Sequence, residues 1–276
     1  MALESTPLRQ HNAIESASFV VGFVRGLAKP TFNKISQALA VFKEELPGVG
    51  PDQADVTMSA MPQLPGLRIQ TPQAHRFSAK KDGTPEWLVQ ATGNVVQVQC
   101  HDYTNFKDVW AKASRYLTCA LTAIDENVPV AEISFQVIDR FNYPTTGNWA
   151  EYDIAELFNT QSKYLTPNAL NTGPLWHLFQ GWFDDYQGNR ILHQLNLTGT
   201  LVGATQQLQA AIDHRGALRG PSEDKMLDLK PFLTPQADGK TPLDTLFDDL
   251  HKKNRAVIEN LLTPQKLQSI GIQKGN

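Results

Sequence analysis

The sequence predicts an α+β fold in which one extended antiparallel sheet carries its long helices on one face. Segments of alternating polarity recur along the chain, and the turn-forming tripeptide Thr92-Gly93-Asn94 joins two of them, as in antiparallel hairpins. Residues 105–124 and the segment that begins at Pro242 carry apolar side chains three and four positions apart, which is the period of an amphipathic helix. The order strand, helix, three strands, long helix occurs twice, and this order predicts a duplicated unit.

The first half of the fold is predicted at residues 13–127, after a polar N-terminal arm at 1–12. Residues 17–25 are rich in Val and Phe and predict a strand, and the helix after it has an apolar stripe of Phe32, Ile35, Leu39, Phe42 and Leu46. Prolines and glycines between 47 and 66 predict an irregular connection. We expect strands at 67–78, 86–91 and 95–101, and then a long helix that Thr104 caps. Its apolar stripe consists of Phe106, Trp110, Ala113, Leu117, Leu121 and Ile124.

The second half is predicted at residues 128–276, so that the two halves form one domain. The expected strands are 130–141, 175–183, 191–202 and 206–213, and Asp153 with Glu156 three residues later predicts the start of a short helix. A passage rich in Pro and Gly at 216–242 leads into the terminal helix. The apolar stripe of that helix consists of Leu243, Leu246, Phe247, Leu250, Val257, Ile258 and Leu261. Thr263 before Pro264 is typical of an N-cap, so a second short helix should follow.

Composition limits the classes of function. The 276 residues are 41% hydrophobic and 19% charged, values typical of a globular protein. The net charge of −3 gives no general attraction to phosphate, which makes nucleic acid an unlikely partner.

Cys100 and Cys119 are the only cysteines and no secretory leader is recognised, so a cytoplasmic location is expected. The longest apolar stretch, at 19–24, is too short to span a membrane, although contact with a membrane surface stays open. No cofactor is predicted.

Five short segments spread over nearly the whole chain carry a resemblance to a known family. They are Ala13-Ile14-Glu15 with Phe19-Val20-Val21-Gly22-Phe23, Tyr103-Thr104-Asn105-Phe106 with Trp110, Asp139-Arg140-Phe141, Leu250-His251-Lys252-Lys253-Asn254, and Leu262-Thr263-Pro264 with Gly271. Together they resemble a sporadically distributed bacterial protein family often found near mobile-element and phage-defence genes. The family has no established activity, so the resemblance implies a fold and a bacterial or phage-related origin, and no catalytic residues.

The best candidate for a metal site is a set of histidines on three successive predicted strands. His177, His193 and His214, with Asp213 beside the last, could bind zinc if all of them pointed to one face of the sheet. A hairpin that places Asp184 opposite Asn189 would turn His177 and His193 to opposite faces, because side chains alternate along a strand. We therefore expect histidines scattered over a half-exposed sheet.

Binding residues are predicted on the terminal helix and on the aromatic strand at 175–183. His251, Asn254 and Arg255 form a polar cluster that either recognises a partner or fixes the helix on the sheet. Trp176 and Trp182 belong to an aromatic excess that suits a core or a protein interface. Cys100 beside His101 and Asp102 is expected to be structural rather than catalytic, because neighbouring residues in a strand point to opposite faces.

These observations favour a non-catalytic interaction protein. The common phosphate-binding, dinucleotide-binding, hydrolase, zincin and thiol-redox motifs are missing from the sequence. We expect a protein partner encoded nearby, within an anti-phage defence or toxin-neutralising module, or association with further copies of the chain. The alternatives are a binder of an apolar ligand or lipid in a pocket between sheet and helix, an unrecognised metal-dependent hydrolase or nuclease, and a saddle-shaped nucleic-acid binder. The last would use Arg68, Arg76, Lys80, Lys81, Arg215 and Arg219.

Overall fold

A computed structural model of the chain describes residues 3–50, 74–81, 83–144, 151–171, 173–203, 207–220 and 226–272. The strands are β1 Thr6–Pro7, β2 Ile14–Phe23, β3 Gly48–Val49, β4 Ala74–Phe77, β5 Lys80–Lys81, β6 Thr84–Pro85, β7 Trp87–Thr92, β8 Val95–Cys100, β9 Val130–Asn142, β10 Trp176–Tyr186, β11 Asn189–Val202 and β12 Gln207–Arg219. The helices are α1 Lys29–Leu39, α2 Phe106–Thr122, α3 Ile154–Leu157, α4 Pro167–Leu170, α5 Leu229–Leu233, α6 Pro242–Leu261 and α7 Pro264–Ser269, and Ala40–Phe42 forms a 3₁₀ turn.

Ten of these strands form one antiparallel sheet, which confirms the prediction of a mixed helix and strand fold with a large antiparallel sheet. The strand order is β10-β11-β12-β9-β2-β8-β7-β4-β3, with β1 paired to one end of β9, and β5 and β6 form a separate small hairpin. The strands β2 and β9 lie side by side at the centre although more than a hundred residues separate them. Only the part of the predicted strand 67–78 that is β4 lies within the described residues, and the irregular passage predicted at 47–66 lies largely outside them.

Strand register divides the sheet into two chemically different faces. On one face, which we call the core face, a row of cross-strand neighbours runs through Trp182, His193, Gly216, Phe135, Phe19, Val98 and Val89. On the other, the polar face, the neighbouring row runs through Gln194, Arg215, Gln136, Ser18 and Gln99. Since alternate residues of a strand point to opposite sides, this register accounts for the alternating polarity in the sequence.

Aromatic rings join the central strands to two helices. The ring of Phe19 in β2 lies 5.1 Å from Trp110 of α2 and 5.3 Å from Phe247 of α6, measured between centroids. Phe135 of β9 lies 5.0 Å from Phe19. Burial of each large apolar side chain contributes about 1.5–3 kcal/mol, so this cluster is a principal source of stability. A second cluster, around Phe141, Leu197 and Ile212, packs under the other end of α6.

Glycine at position 216 allows α6 to approach the sheet closely. A Cβ atom added to Gly216 would lie 3.0 Å from Cδ2 of Leu250 and 3.5 Å from the ring of His193. Contacts as short as the first require neighbouring atoms to move, so a larger residue would push α6 away from β12. Gly216 thereby sets how closely the side chains of α6 can approach the histidines of β11 and β12.

Caps mark the beginnings of most helices, with one correction to the prediction. Asn105, and not Thr104, caps α2, because its side-chain oxygen accepts the backbone N–H of Asp108 at 3.0 Å. The predicted caps Asp153 and Thr263 are confirmed. The Glu156 side chain does not bond back to Asp153, since its carboxylate accepts hydrogen bonds from the N-terminal segment instead.

The described part of the N-terminal arm packs against the second half of the fold. β1 pairs with the end of β9, and Leu3 is buried. The ammonium group of Lys266 in α7 donates a 2.6 Å hydrogen bond to the carbonyl of Ser5 and pairs with Glu156. None of the helices in the described part of the chain combines the length and the apolar character needed to span a bilayer.

Candidate functional site

Three polar side chains form a buried hydrogen-bonded row between the sheet and the terminal helix. His193 and His214 stand on neighbouring core-face positions of β11 and β12, and Asn254 reaches them from α6. His193 Nδ1 lies 3.1 Å from His214 Nε2, and His214 Nδ1 lies 3.1 Å from the Asn254 amide nitrogen. Each histidine is only 1% exposed and Asn254 is 6% exposed. The row therefore holds polar groups that water does not reach, and three of its four imidazole nitrogens have a hydrogen-bond partner within it.

The direction of the hydrogen bonds assigns the imidazole tautomers. The Asn254 amide donates to His214 Nδ1, so His214 carries its proton on Nε2 and donates to His193 Nδ1. His193 then carries its proton on Nε2, which lies 3.2 Å from the Asp184 carboxylate at an angle that is poor for a hydrogen bond. All donors along the row thus point outward, from the buried helix toward a partly exposed carboxylate.

The electrostatics of the row keep both imidazoles neutral. Burial lowers the pKa of His214 to about 3, and burial likewise lowers the pKa of His193. Partial burial acts to raise the pKa of Asp184, but the hydrogen bond and charge of Lys253, 3.0 Å away, outweigh it, so this pKa lies below its usual value. A neutral imidazole with so low a pKa is a weak general base at neutral pH, because a catalytic base works best with a pKa near the operating pH.

Trp182 covers the histidine row on the side of the sheet edge. Its indole is nearly parallel to the ring of His193, with centroids 5.0 Å apart, and Tyr164 lies 5.0 Å from it on the other side. The Gln180 amide donates to the Tyr164 carbonyl at 2.7 Å and holds this segment in place. Trp182 therefore packs between the histidine row and Tyr164.

The predicted metal set is divided between the two faces of the sheet. His177 lies on the polar face opposite Thr198, its ring 2.6 Å from Asn196, and Asp213 also lies on the polar face, where it accepts a 2.7 Å hydrogen bond from Gln136. Only His193 and His214 meet, on the core face. The hairpin pairs Tyr186 with Asn189, two residues later than the predicted register, which leaves the predicted alternation of faces unchanged. Within the described ranges, no three metal-binding side chains form a group able to hold an ion.

The other predicted binding residues take part in packing. The ring of His251 stacks on Phe106 at 4.0 Å, and burial lowers the pKa of this imidazole to about 4. Arg255 pairs with Glu259 one turn further along α6. Trp176 is buried and donates to the Tyr152 hydroxyl at 2.9 Å. Of the predicted set, Asn254 is the residue that joins the terminal helix to the histidine row.

The segment around Cys100 has structural contacts. Burial raises the pKa of the Cys100 thiol to about 12, so this sulfur stays protonated and a poor nucleophile. Arg9 lies beside it, donating to the carbonyl of His101 and standing 3.9 Å from the Asp102 carboxylate. These contacts attach the N-terminal segment to the end of β8, in agreement with the structural role expected from the sequence.

Two features of the molecule were not predicted as functional. Asp139 is a core-face residue of β9 that is 4% exposed, and burial raises its pKa to about 7. Phe179 and Phe183 lie on the polar face of β10 and are 48% and 60% exposed. The alternation of Phe with His177, Gly181 and Asp185 in that strand was the available signal, because it puts both rings on the face opposite Trp182.

The arrangements described above suit binding and the positioning of neighbouring elements. None of them brings a nucleophile together with an active general base. The histidine row ends at the partly exposed Asp184–Lys253 ion pair. No family model, no curated protein and no solved structure matches this chain.

Proposed function

We propose that this protein is a non-catalytic binding protein that recognises another protein through the polar face of its sheet. The observation that carries the proposal is the exposure of Phe179 and Phe183, 48% and 60%, on an edge strand otherwise lined by polar residues. Leu175, just before β10, is exposed as well. Large apolar side chains grouped at the surface and bordered by polar ones are typical of protein interaction sites.

The charges on this face favour a protein over a nucleic acid as the partner. Among the described residues, carboxylates and guanidinium groups occur there in equal number, four of each: Glu15, Glu132, Asp185, Asp213, and Arg140, Arg190, Arg215, Arg219. Several of them pair with one another, since Arg140 lies 2.6 Å from Glu15, and Glu132 contacts both Arg215 and Arg219. A phosphate backbone needs unpaired positive charge, which this arrangement supplies poorly.

The packing on the core face supports binding without chemistry. The histidine row is buried and neutral, so it suits the anchoring of α6 better than proton transfer. The aromatic cluster of Phe19, Trp110 and Phe247 occupies the central space between sheet and helices, which does not favour an apolar ligand there. The side chains of the terminal helix thus serve to hold the sheet in shape, and the polar face is left for recognition.

We further propose that the chain is an internal duplication. Outward from the centre, the sheet runs β2, β8, β7, β4 on one side and β9, β12, β11, β10 on the other. In each half the first strand of the chain is the central one, and the other three follow outward in reverse chain order. The rings of α2 and α6 that touch the sheet meet core-face residues, which supports long helices on a single face. Superposition of residues 13–127 on 128–276 tests this: overlap of α2 with α6 supports the duplication, and helices on opposite faces contradict it.

The resemblance to a bacterial family near phage-defence genes suggests where the partner is encoded. We propose a cytoplasmic partner from an adjacent gene of such a defence or toxin-neutralising module. Co-expression of the chain with the products of its neighbouring genes, followed by purification of the complex and measurement of its stoichiometry, tests the proposal. A stable complex of defined stoichiometry is expected.

Surface variants decide whether the complex uses the proposed face. The double substitution Phe179→Ser, Phe183→Ser should weaken binding at least tenfold, because apolar anchors in an interface commonly contribute more than 1 kcal/mol each. Val41→Ser is the matched control, since Val41 is 73% exposed in the 3₁₀ turn after α1, away from β10. Equal binding by the wild type and the double variant would reject the polar face, and the absence of any neighbouring-gene partner would reject the proposed module.

A further inference from the structure

Among the described residues, no strand pairs with the outer edge of β10, although α4 lies close to this strand. β10 runs for 11 residues and pairs only with β11 in the sheet. At the other end of the sheet the edge strand β3 has two residues. Exposed edges present unpaired N–H and C=O groups that readily accept another strand, and natural proteins usually shorten, charge or cover them. The long edge with two exposed phenylalanines is therefore the one equipped for strand addition.

The side chains of β10 are complementary to a second, antiparallel copy of the same strand. If two copies pair with Gly181 opposite Gly181, then Phe179 of each stands opposite Phe183 of the other. The same register places His177 opposite Asp185, once at each end of the paired segment. All of these side chains lie on the polar face, where the intramolecular register already puts them. Aromatic cross-strand pairs, and polar pairs such as an imidazole opposite a carboxylate, stabilise antiparallel sheets.

Neighbouring registers lose this complementarity. A shift of two residues in one direction sets Phe183 opposite His177 and Phe179 opposite Gly181, and a shift in the other direction sets Phe179 opposite Asp185. Shifts by an odd number bring polar-face residues of one copy beside core-face residues of the other, which a two-fold axis perpendicular to the sheet excludes because it keeps like faces on the same side. Centring on Gly181 also leaves room at the axis for the four phenyl rings, because glycine has no side chain there.

We propose that the protein forms a two-fold homodimer in which the β10 strands pair antiparallel about Gly181, joining two ten-stranded sheets into one. A two-fold axis perpendicular to the sheet puts both polar faces on the same side, with the four phenylalanines in the centre. The dimer would thus present a doubled recognition surface. This assembly does not depend on the identity of the partner proposed above, since it needs only the chain itself.

Light scattering and sedimentation of the purified full-length chain, without any partner, test the dimer. The expected mass is twice 30.7 kDa at micromolar concentration. His177→Asp places a second carboxylate opposite Asp185, and Asp185→Lys removes the carboxylate that faces the His177 imidazole. Each variant should raise the dimer dissociation constant roughly tenfold, since each pair occurs twice and cross-strand charge pairs differ by up to about 1 kcal/mol each.

The double variant provides the decisive comparison. His177→Asp with Asp185→Lys places a carboxylate and an ammonium group opposite each other across the axis and should return the dissociation constant to within about threefold of wild type. Asp125→Lys is the matched control, because it makes the same charge change on an exposed side chain far from β10 in the sequence and should leave the mass unchanged. Thermal melts of all variants check that the fold is retained.

The results that overturn the dimer are clear. A wild-type chain that stays monomeric at concentrations of tens of micromolar rejects it, as does a dimer on which neither single charge variant has an effect. A dimer weakened by both single variants and not restored in the double variant rejects the register. A monomer that still binds a neighbouring-gene partner would reject the dimer and leave the proposed function standing. A dimer for which no such partner is found would support the dimer and count against the proposed function.

Discussion

The indole N–H of Trp110 donates a 3.0 Å hydrogen bond to the Asp244 carboxylate and so joins α2 to the first turn of α6. The other carboxylate oxygen of Asp244 accepts from both the backbone N–H and the hydroxyl of Thr241, at 2.8 and 2.7 Å. In return, the Thr241 hydroxyl caps α6. One side chain therefore completes the capping box of its own helix and anchors the neighbouring one.

Trp110→Phe should destabilise the protein because it removes that link while leaving an aromatic ring in the core. The loss of the hydrogen bond contributes about 1 kcal/mol, and the lost ring surface adds roughly 1 kcal/mol more. Trp87→Phe makes the same chemical change in a buried indole that stands on β7. The difference between the two variants in the free energy of unfolding, measured in urea, isolates the contribution of the bond to Asp244. Equal losses would show that this bond contributes nothing.

Asn254→Ala should destabilise the protein by about 1–3 kcal/mol, because His214 Nδ1 would stay buried without a donor. Lys252→Ala is the control on the same helix, since its ion pair with Asp248 is exposed and exposed pairs contribute little to stability. Hydrogen exchange should also show faster opening of α6 in the Asn254 variant. Equal stability of the two variants would mean that the row does not fix the helix.

Periodicity predicted the local elements because their causes are local. The stripe from Leu243 to Leu261 is buried, and Thr263 caps α7 as expected. In the same way, alternation alone placed His177 and His193 on opposite faces even though the hairpin was predicted two residues out of register. The helix start at Asn105 was missed because Thr104 and Asn105 are both good N-caps, and only the bond to Asp108 distinguishes them.

The functional arrangements depend on pairings that no local pattern contains. His193 and His214 meet because the register of β11 with β12 brings them to adjacent core-face positions, and Asn254 reaches them only because α6 returns across the sheet. Ser5 and Lys266 lie 261 positions apart in the chain, and their contact follows from the docking of both termini on the second half. Neither relationship has a signal in composition or spacing.

Asp139→Asn should change how stability depends on pH. Burial raises the folded-state pKa of Asp139 to about 7 from its usual 3.8, so the folded protein holds a proton that the unfolded chain releases between these values. The contribution of Asp139 to the free energy of unfolding is fully present below the unfolded pKa of 3.8 and is lost as the pH rises through about 7. Relative to wild type, the Asn variant should gain roughly 1.4 kcal/mol for each pH unit between 5 and 7.

The buried histidines act in the opposite direction over the same range. The pKa of His214 falls to about 3 in the folded state, so its contribution is present above the usual pKa and is lost as the pH falls. In the Asp139→Asn variant, the stability lost through His214 as the pH falls is no longer offset by stability gained through Asp139. The free energy of unfolding should therefore drop more steeply toward pH 4 than in wild type. Chemical denaturation at several pH values measures both slopes. Asp125→Asn, a change in an exposed carboxylate, should leave the slope between pH 5 and 7 as it is.

Lys266→Ala should release the N-terminal segment. The Lys266 ammonium is buried, donates to the Ser5 carbonyl at 2.6 Å and neutralises Glu156, whose carboxylate also accepts from the Ser5 N–H and hydroxyl. Removing one partner of a buried ion pair leaves a charge without compensation, so a loss of about 3 kcal/mol is expected. Adding Glu156→Gln should recover part of it, because the uncompensated charge disappears. Hydrogen exchange of residues 3–9 reports the segment directly, and unchanged protection there would contradict this account.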